Sequence, residues 1–340
     1  MNTRKEINEL VFKINAPKLS KEESKKAYAY YKAKGYKLHT TNWHRYFKTI
    51  NGVFNVKYIP DDIFKAVICP KFNQSKQWPA LVDKNITYKL FNEFNQPIRV
   101  IQNINGFYYH NDKIISRDAA IKIVKRLNKP MIIKPTIETG QGNMVKVFTL
   151  NDNKTSINNL SVIDLLKLYV KDFIIQELVD QSPIMKQLNP SSLNTLRVMT
   201  YIRQDKVHVL STVARIGNPD SVTDNFSAGG IIVGVKSDGK FKEIGYTKYG
   251  KVYNQTHTGV VLKGLSIPNY NRVIEMAKNM HIKVPYFKFI SWDIGLDKSN
   301  EPIFIEYNTY NQSSIIHQIT NGPLFGEFTN EILALALKSN

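Results

Sequence analysis

The apolar and polar positions divide the chain into a helical start, a mixed middle and a sheet-rich end. Ser20-Lys21-Glu22-Glu23 has the form of a capping box, with Ser at the cap and Glu three residues on. Ala27, Tyr30 and Tyr31 continue a helical stripe that Gly35 ends. Pro60, Pro70 and Pro79 then punctuate the chain, so Ile59 to Trp78 reads as connecting structure.

From Asp83 onward the periodicities alternate. Tyr88 to Asn95, Arg117 to Leu127 and Val162 to Val170 predict helices, while Met131 to Lys134 and Phe173 to Gln176 predict short buried strands. Thr195 to Tyr246 reads as a β-meander. Within it, Arg197 to Ile202 and Val207 to Ile216 flank a Gln204-Asp205 turn. Gly230 to Val235 and Phe241 to Tyr246 flank Asp238-Gly239, a strong hairpin dipeptide. A helix over Asn271 to Met280 comes next, then strands over Tyr286 to Leu296 and Pro302 to Tyr307, then a terminal helix from Glu327. Helices beside antiparallel hairpins give an α+β class.

Composition narrows the possibilities. At roughly 150 residues per domain, 340 residues suggest about two domains. A hydrophobic fraction of 42% with 22% charged residues is ordinary for a globular protein and argues against disorder, collagen and coiled coil. The longest apolar run, Ile332 to Leu337, is far short of the ~20 residues that span a bilayer. Met1 to Glu6 leads into no apolar signal segment, and the single Cys69 allows no internal disulfide. A cytoplasmic enzyme or binding protein is the expectation. The formal net charge of +19 favours anionic partners. Basic residues run through the whole chain without a block of five or six like charges, and no nucleic-acid motif accompanies them, so nucleic acid is not expected as a partner.

Four stretches carry candidate chemistry. In the first, a four-residue turn with Asp297 paired to Pro302 would set Asp293 opposite Glu306. Opposed side chains share a sheet face about 5 Å apart, and Asn308 repeats on the face of Glu306. Two carboxylates and an amide oxygen among apolar strands suit Mg²⁺. The plain alternative is a rim where they meet solvent or a basic partner. In the second, Lys134 ends a buried strand beside a Thr136 to Gly142 loop, which could set an ammonium and loop donors against phosphates. The alternative is a surface hairpin with an extended lysine. The third is Ile174 to Val179, an apolar strand meeting a polar break, where backbone amides could face an adenine edge. The fourth joins Arg197 and Arg215 with Asp224 to Gly230. Arginine recognises carboxylate or phosphoryl oxygens in a planar, bidentate way. The alternative there is an ordinary meander with surface arginines.

In order, these pieces resemble the ATP-grasp superfamily, and more closely its sugar-transfer-associated family from bacterial surface-polysaccharide clusters. The stretches that carry the resemblance are Trp78 to Lys84, Ile133-Lys134-Pro135, Gln176-Glu177, Pro190 to Arg197, Asp224 to Gly230, Trp292-Asp293-Ile294, Ile305 to Asn308 and Asn321 to Gly326. They span roughly Ile59 to Leu335. The resemblance implies two α+β subdomains clasping ATP, over residues 79–180 and 181–340, preceded by a helical and irregular region over 1–78. It implies that Lys84 and Lys134 hold the ATP phosphates and that Glu138, Thr139, Gly140, Gln141 and Gly142 form a flap. It further implies an adenine hinge at Gln176, Glu177 and Leu178, with Asn225 also on the nucleotide. Asp293, Glu306 and Asn308 would hold Mg²⁺. Arg197 and Arg215, with Lys134, would act on the transferring phosphoryl group.

The implied activity is a carboxylate–amine ligase that uses ATP to make an acyl phosphate, which an amine then converts to an amide. The carboxylate would be a uronic acid or related glycan precursor, the amine an amino acid or similar substrate, with peripheral association to polysaccharide-synthesis machinery. Two alternatives stand beside it: a sugar kinase or phosphoryl transferase on the same fold, and a non-catalytic nucleotide-binding module. For the ligase, Glu306→Gln or Asp293→Asn is expected to abolish turnover while the fold survives.

Overall fold

The computed structural model describes residues 3–127, 129–137, 144–219 and 221–337. Two antiparallel sheets organise the chain. The first has six strands in the order Lys113–Ile115, Phe107–His110, Arg99–Ile104, Phe173–Glu177, Met131–Pro135 and Lys146–Phe148. One face carries Ile101, Met131, Ile133, Phe173 and Ile175 against the helices Arg117–Arg126 and Val162–Tyr169. Each of those helices begins where the sequence predicts, with a serine cap: Ser116 accepts from the Ala119 amide and Ser161 from the Asp164 amide. The opposite face carries Lys134 and Gln176, as period-two alternation along paired strands requires.

The second sheet has seven strands in the order Val252–Tyr253, Phe241–Tyr246, Ile231–Val235, Lys206–Ile216, Thr195–Arg203, Phe289–Leu296 and Pro302–Asn308. Its apolar back, with Leu196, Val198, Ile290 and Trp292, packs on the helix Tyr270–Ile282. The Asp238-Gly239 turn closes as expected. Gly239 sits at φ +82°, and a Cβ there would lie 2.8 Å from the Tyr270 side chain, so glycine is needed on both counts.

The first 78 residues cover the other face of this second sheet. The predicted capping box is closed in both directions, Glu23 amide to Ser20 at 3.0 Å and Ser20 amide to Glu23 at 2.9 Å. Helix Lys21–Ala33 packs Ala27 and Tyr31 in one core with Met199, Tyr201 and Phe289. Helices Thr3–Lys13 and Asn42–Asn51 share another with Val213 and Ile232. Ile315–Asn321 and Thr329–Leu337 complete the layer.

Several expectations shift. Ile59 to Trp78 is not loose connection but a chain of short helical turns, including a π-turn over Phe64–Ile68, because Ile59, Ile63, Phe64, Ile68 and Phe72 bury against the sheet. The helix expected over Tyr88 to Asn95 runs over Lys84–Leu90, since the Asp83 side chain caps it through the Asn85 amide at 2.7 Å. The terminal helix begins at Thr329, after a 3₁₀ turn over Gly326–Phe328. Among the described residues no helix is long and apolar enough to cross a membrane.

Candidate active site

The site begins with a register. In the last hairpin Leu296, not Asp297, pairs with Pro302, one residue off the expected turn. Ile294 pairs with Phe304 and Asp293 with Glu306, so Ile305 is an extra residue in a β-bulge. The shorter register and the bulge cancel, and Asp293 stands opposite Glu306 as expected. Asp293 also pairs with Arg197 on its other flank. Arg197, Asp293 and Glu306 therefore line up across three adjacent strands on one face. Arg215 joins them from the next strand, where it pairs with Thr195.

Charges fix the cluster. Arg197 donates from Nε to Oδ1 of Asp293 at 2.7 Å and from Nη2 to Oδ2 at 2.5 Å. Arg215 donates from Nη1 to the same Oδ2 at 3.1 Å and from Nη2 to Asp224 at 2.9 Å. Thr195 donates its hydroxyl to Asp224. Burial alone would raise the Asp293 pKa, but Arg197 and Arg215 outweigh it and hold the carboxylate below its ordinary range. Asp224 shifts the other way, because burial and the nearby Asp293 outweigh Arg215.

Two lysines approach, one from the first sheet and one from the helix tied to it. Lys84 starts the Lys84–Leu90 helix, and its amide donates to the Thr136 carbonyl at 3.1 Å, which ties it to the end of the Lys134 strand. Its ammonium lies 3.7 Å from Glu306. Phe91, just past this helix, packs edge-on against Trp292, Phe304 and Tyr307 of the second sheet, and Tyr307 donates its hydroxyl to the Leu81 carbonyl at 2.6 Å. The helix is thus wedged between the two sheets. Lys134 is 8% exposed. Burial, then repulsion from Lys84, lowers its pKa to about 8, with Glu306 only partly opposing. A buried cation depressed in this way lacks a close anion.

The remaining expected residues are placed less uniformly. Gln176 shares the Lys134 face, donates to the Tyr88 hydroxyl at 2.6 Å and leaves its buried Oε1 without a hydrogen bond among the described residues. The amides of Glu177 and Leu178 do not face open space: they donate to the carbonyls of Ile98 and Pro130, and the Glu177 carboxylate holds Lys129 at 2.8 Å. Asn225 shapes a turn, with its side chain accepting the Ser227 amide at 3.0 Å. Gly230 is required beside it, since a Cβ would come within 2.9 Å of the Asn225 carbonyl. Glu138, Thr139, Gly140, Gln141 and Gly142 lie outside the described residues.

The donor set fits a phosphate chain and a divalent cation. Lys84 and Lys134 supply charge for phosphates. The side-chain amide nitrogen of Asn308, a donor suited to a phosphate oxygen, is buried without a hydrogen bond among the described residues, and the half-open Glu306 carboxylate is the group that suits a cation. Among the described residues Oδ1 of Asp293 carries only the Arg197 bond, so a lone pair remains on it. Among the described residues no group of three or more His, Cys, Asp or Glu side chains forms a metal cage. A cation here would depend on amide, water and phosphate oxygens as well, as Mg²⁺ prefers.

One further neighbour has no signal in the sequence. His317 is fully buried, with Nδ1 2.9 Å from the Ser211 hydroxyl and Nε2 unbonded among the described residues. Burial, then Arg197 and Arg215 against Asp293, lowers its pKa to about 3. It is a neutral imidazole behind the arginines.

The family model for sugar-transfer associated ATP-grasp proteins matches residues 64–332. The chain belongs to that family. Its α+β architecture is accordingly the ATP-grasp fold. Among solved structures, this ATP-grasp protein is similar to an L-amino acid ligase from Bacillus licheniformis, at 15% identity over 76% of this chain and 48% of that one, with a TM-score of 0.43. It is similar to the VanG D-Ala:D-Ser ligase from Enterococcus faecalis, at 15% identity over 75% and 60%, with a TM-score of 0.44. The D-alanine–D-alanine ligase from Bacillus anthracis aligns at 12% identity over 75% and 67%, with a TM-score of 0.40. The chain spans about half to two thirds of the length of these proteins. No curated protein sequence matches it.

Proposed function

We propose that this ATP-grasp protein is an ATP- and Mg²⁺-dependent carboxylate–amine ligase, acting through an acyl phosphate on a uronic acid or related glycan carboxylate in surface-polysaccharide synthesis. The observation that carries the reading is the approach of Lys84, at the start of its helix, and of Lys134, on the first sheet, to Glu306, which lies beside Asp293 and the two arginines on the second. Phosphoryl transfer needs positioning and charge neutralisation more than covalent help.

In this reading Lys84 and Lys134 bind the phosphates, and the Lys134 ammonium, short of anions in the free protein, gains them there. Glu306 and Asn308, with the free lone pair of Asp293, would hold Mg²⁺, which supplies charge neutralisation between phosphate oxygens when bound. Arg215 and Arg197, fixed by Asp293 and Asp224, orient the carboxylate and the transferring phosphoryl group. Gln176 offers its Oε1 to the base. Family membership supports the nucleotide assignment, while the glycan carboxylate rests on the family's association with sugar transfer.

The test is ADP release with hydroxylamine as a generic nucleophile over a panel of uronic acids, nucleotide-linked uronates and amino acids. Hydroxamate with one carboxylate is the expected result. ADP without hydroxamate would assign phosphoryl transfer to a hydroxyl instead. MgATP binding without turnover across the panel would favour a binding module.

A further inference from the structure

The positive charge is unevenly distributed. The first 78 residues hold 16 Lys and Arg against 6 Asp and Glu, out of 47 and 28 in the whole chain. The concentration is sharpest on the first two helices. Nine of the ten basic residues between Arg4 and Lys37 are exposed, against two of the four acidic ones, Glu9 and Glu22. Glu22 pairs with Lys26 at 2.6 Å, and Lys13 reaches over the Tyr249 ring, so part of the charge is engaged locally. Most of it faces solvent.

Two large exposed apolar side chains occur on these helices, Phe12 on the first and Tyr28, 43% exposed, on the second. Helix Thr3–Lys13 turns Ile7, Leu10 and Val11 into the core and leaves Phe12 80% exposed, the most exposed large apolar side chain among the described residues. Phe12 lies where the first helix ends. The connection to the second helix and that helix's first turns carry Lys18, Lys21 and Lys25, all exposed. Both helices cover the same face of the seven-stranded sheet, so their outer sides turn away from the core together.

We propose that this outer face docks the protein on an anionic lipid bilayer. Charge complementarity accounts for the lysines, each contributing on the order of fivefold in partitioning near an anionic surface. A soluble polyanion would satisfy the same lysines and leave Phe12 in water, whereas the interfacial region of a bilayer takes both the ammonium groups and an aromatic ring. The surface is independent of the proposed ligase reaction and stands if that reaction fails.

The experiment is co-sedimentation of the full chain with phosphatidylcholine vesicles made with and without phosphatidylglycerol. Binding is expected only with phosphatidylglycerol, and it should fall steeply as salt rises. Phe12→Ala should weaken it about tenfold. The triple exchange Lys18→Glu, Lys21→Glu and Lys25→Glu should abolish it, with unchanged circular dichroism and thermal midpoint, because all the altered side chains are exposed. Failure to bind phosphatidylglycerol vesicles overturns the proposal. So does binding that is indifferent to Phe12→Ala and displaced by inorganic polyphosphate, since that pattern reads charge alone.

Discussion

Arg197 grips Asp293 with two parallel hydrogen bonds, at 2.7 and 2.5 Å, across neighbouring strands of the seven-stranded sheet. Asp293 is 2% exposed and takes a third bond from Arg215. Breaking a buried pair from one side leaves uncompensated charge behind. Asp293→Asn is therefore not the silent probe that strand spacing alone suggests. It should lose turnover and also about 3 kcal/mol of stability. Denaturant midpoints at constant slope would measure the loss; an unshifted midpoint would show that the arginines do not depend on this carboxylate.

Glu306→Gln is the cleaner probe. Its carboxylate is partly open to solvent, and its one ion pair among the described residues, to Lys84, is long at 3.7 Å. Such a pair contributes at most about 1 kcal/mol. The denaturant midpoint should barely move while ADP release collapses by at least about a hundredfold, as expected of a ligand to the cation that would neutralise developing charge. Near-wild-type turnover in Glu306→Gln would remove this residue from the metal set.

Three histidines make the fold acid-sensitive. Burial lowers His44 and His281 to about 4 and His317 to about 3. His281 shows why charging is costly: its Nε2–H donates to the Phe287 carbonyl at 2.8 Å, so the neutral ring accepts at Nδ1 from Thr200 at 2.7 Å, and a second proton would put an unpaired charge in the core. With folded values below the unfolded value of about 6.5, the unfolded chain binds more protons as pH falls. Stability from these groups is complete above about 6.5 and declines toward pH 4. A denaturant midpoint that stays level from pH 7 to 5 would contradict this.

Much of the architecture was legible from local pattern. The Ser20 capping box, the Asp238-Gly239 hairpin and the strands of Lys134 and Arg197 all carry signals within a few residues of themselves. What escaped depends on partners far along the chain. The strand Arg99–Ile104 buries Gln102 and Asn103, and the partners of these polar residues, Asn85 for Gln102 and the Gly106 amide for Oδ1 of Asn103, are met only after folding. The short turns over Ile59 to Trp78 are held by a sheet more than a hundred residues away. The Asp293–Glu306 pairing emerged from the sequence with its turn one residue off, because a bulge at Ile305 has no local signature. The full engagement of Asp293 by two arginines was equally invisible, since Arg197 and Arg215 meet it only across the assembled sheet.

Lys134 ties this electrostatics to ligand binding. Burial and Lys84 lower its pKa to about 8, so near that pH a fraction of the free protein holds a neutral amine. Phosphates placed against it would favour the charged form and restore the proton. Nucleotide binding should therefore take up protons around pH 8, and affinity should weaken as pH rises through that value. Calorimetry of MgATP binding in buffers of differing ionisation enthalpy would count the protons. The same depression bears on stability: below about pH 8 the folded protein carries a buried charge at a cost, and that cost disappears as pH rises from 8 toward the unfolded value near 10.4. Lys134→Met should then keep or raise the denaturant midpoint at pH 7 while weakening nucleotide binding by at least about tenfold. Proton uptake that persists unchanged in Lys134→Met would assign the titration to another group and separate Lys134 from the phosphates.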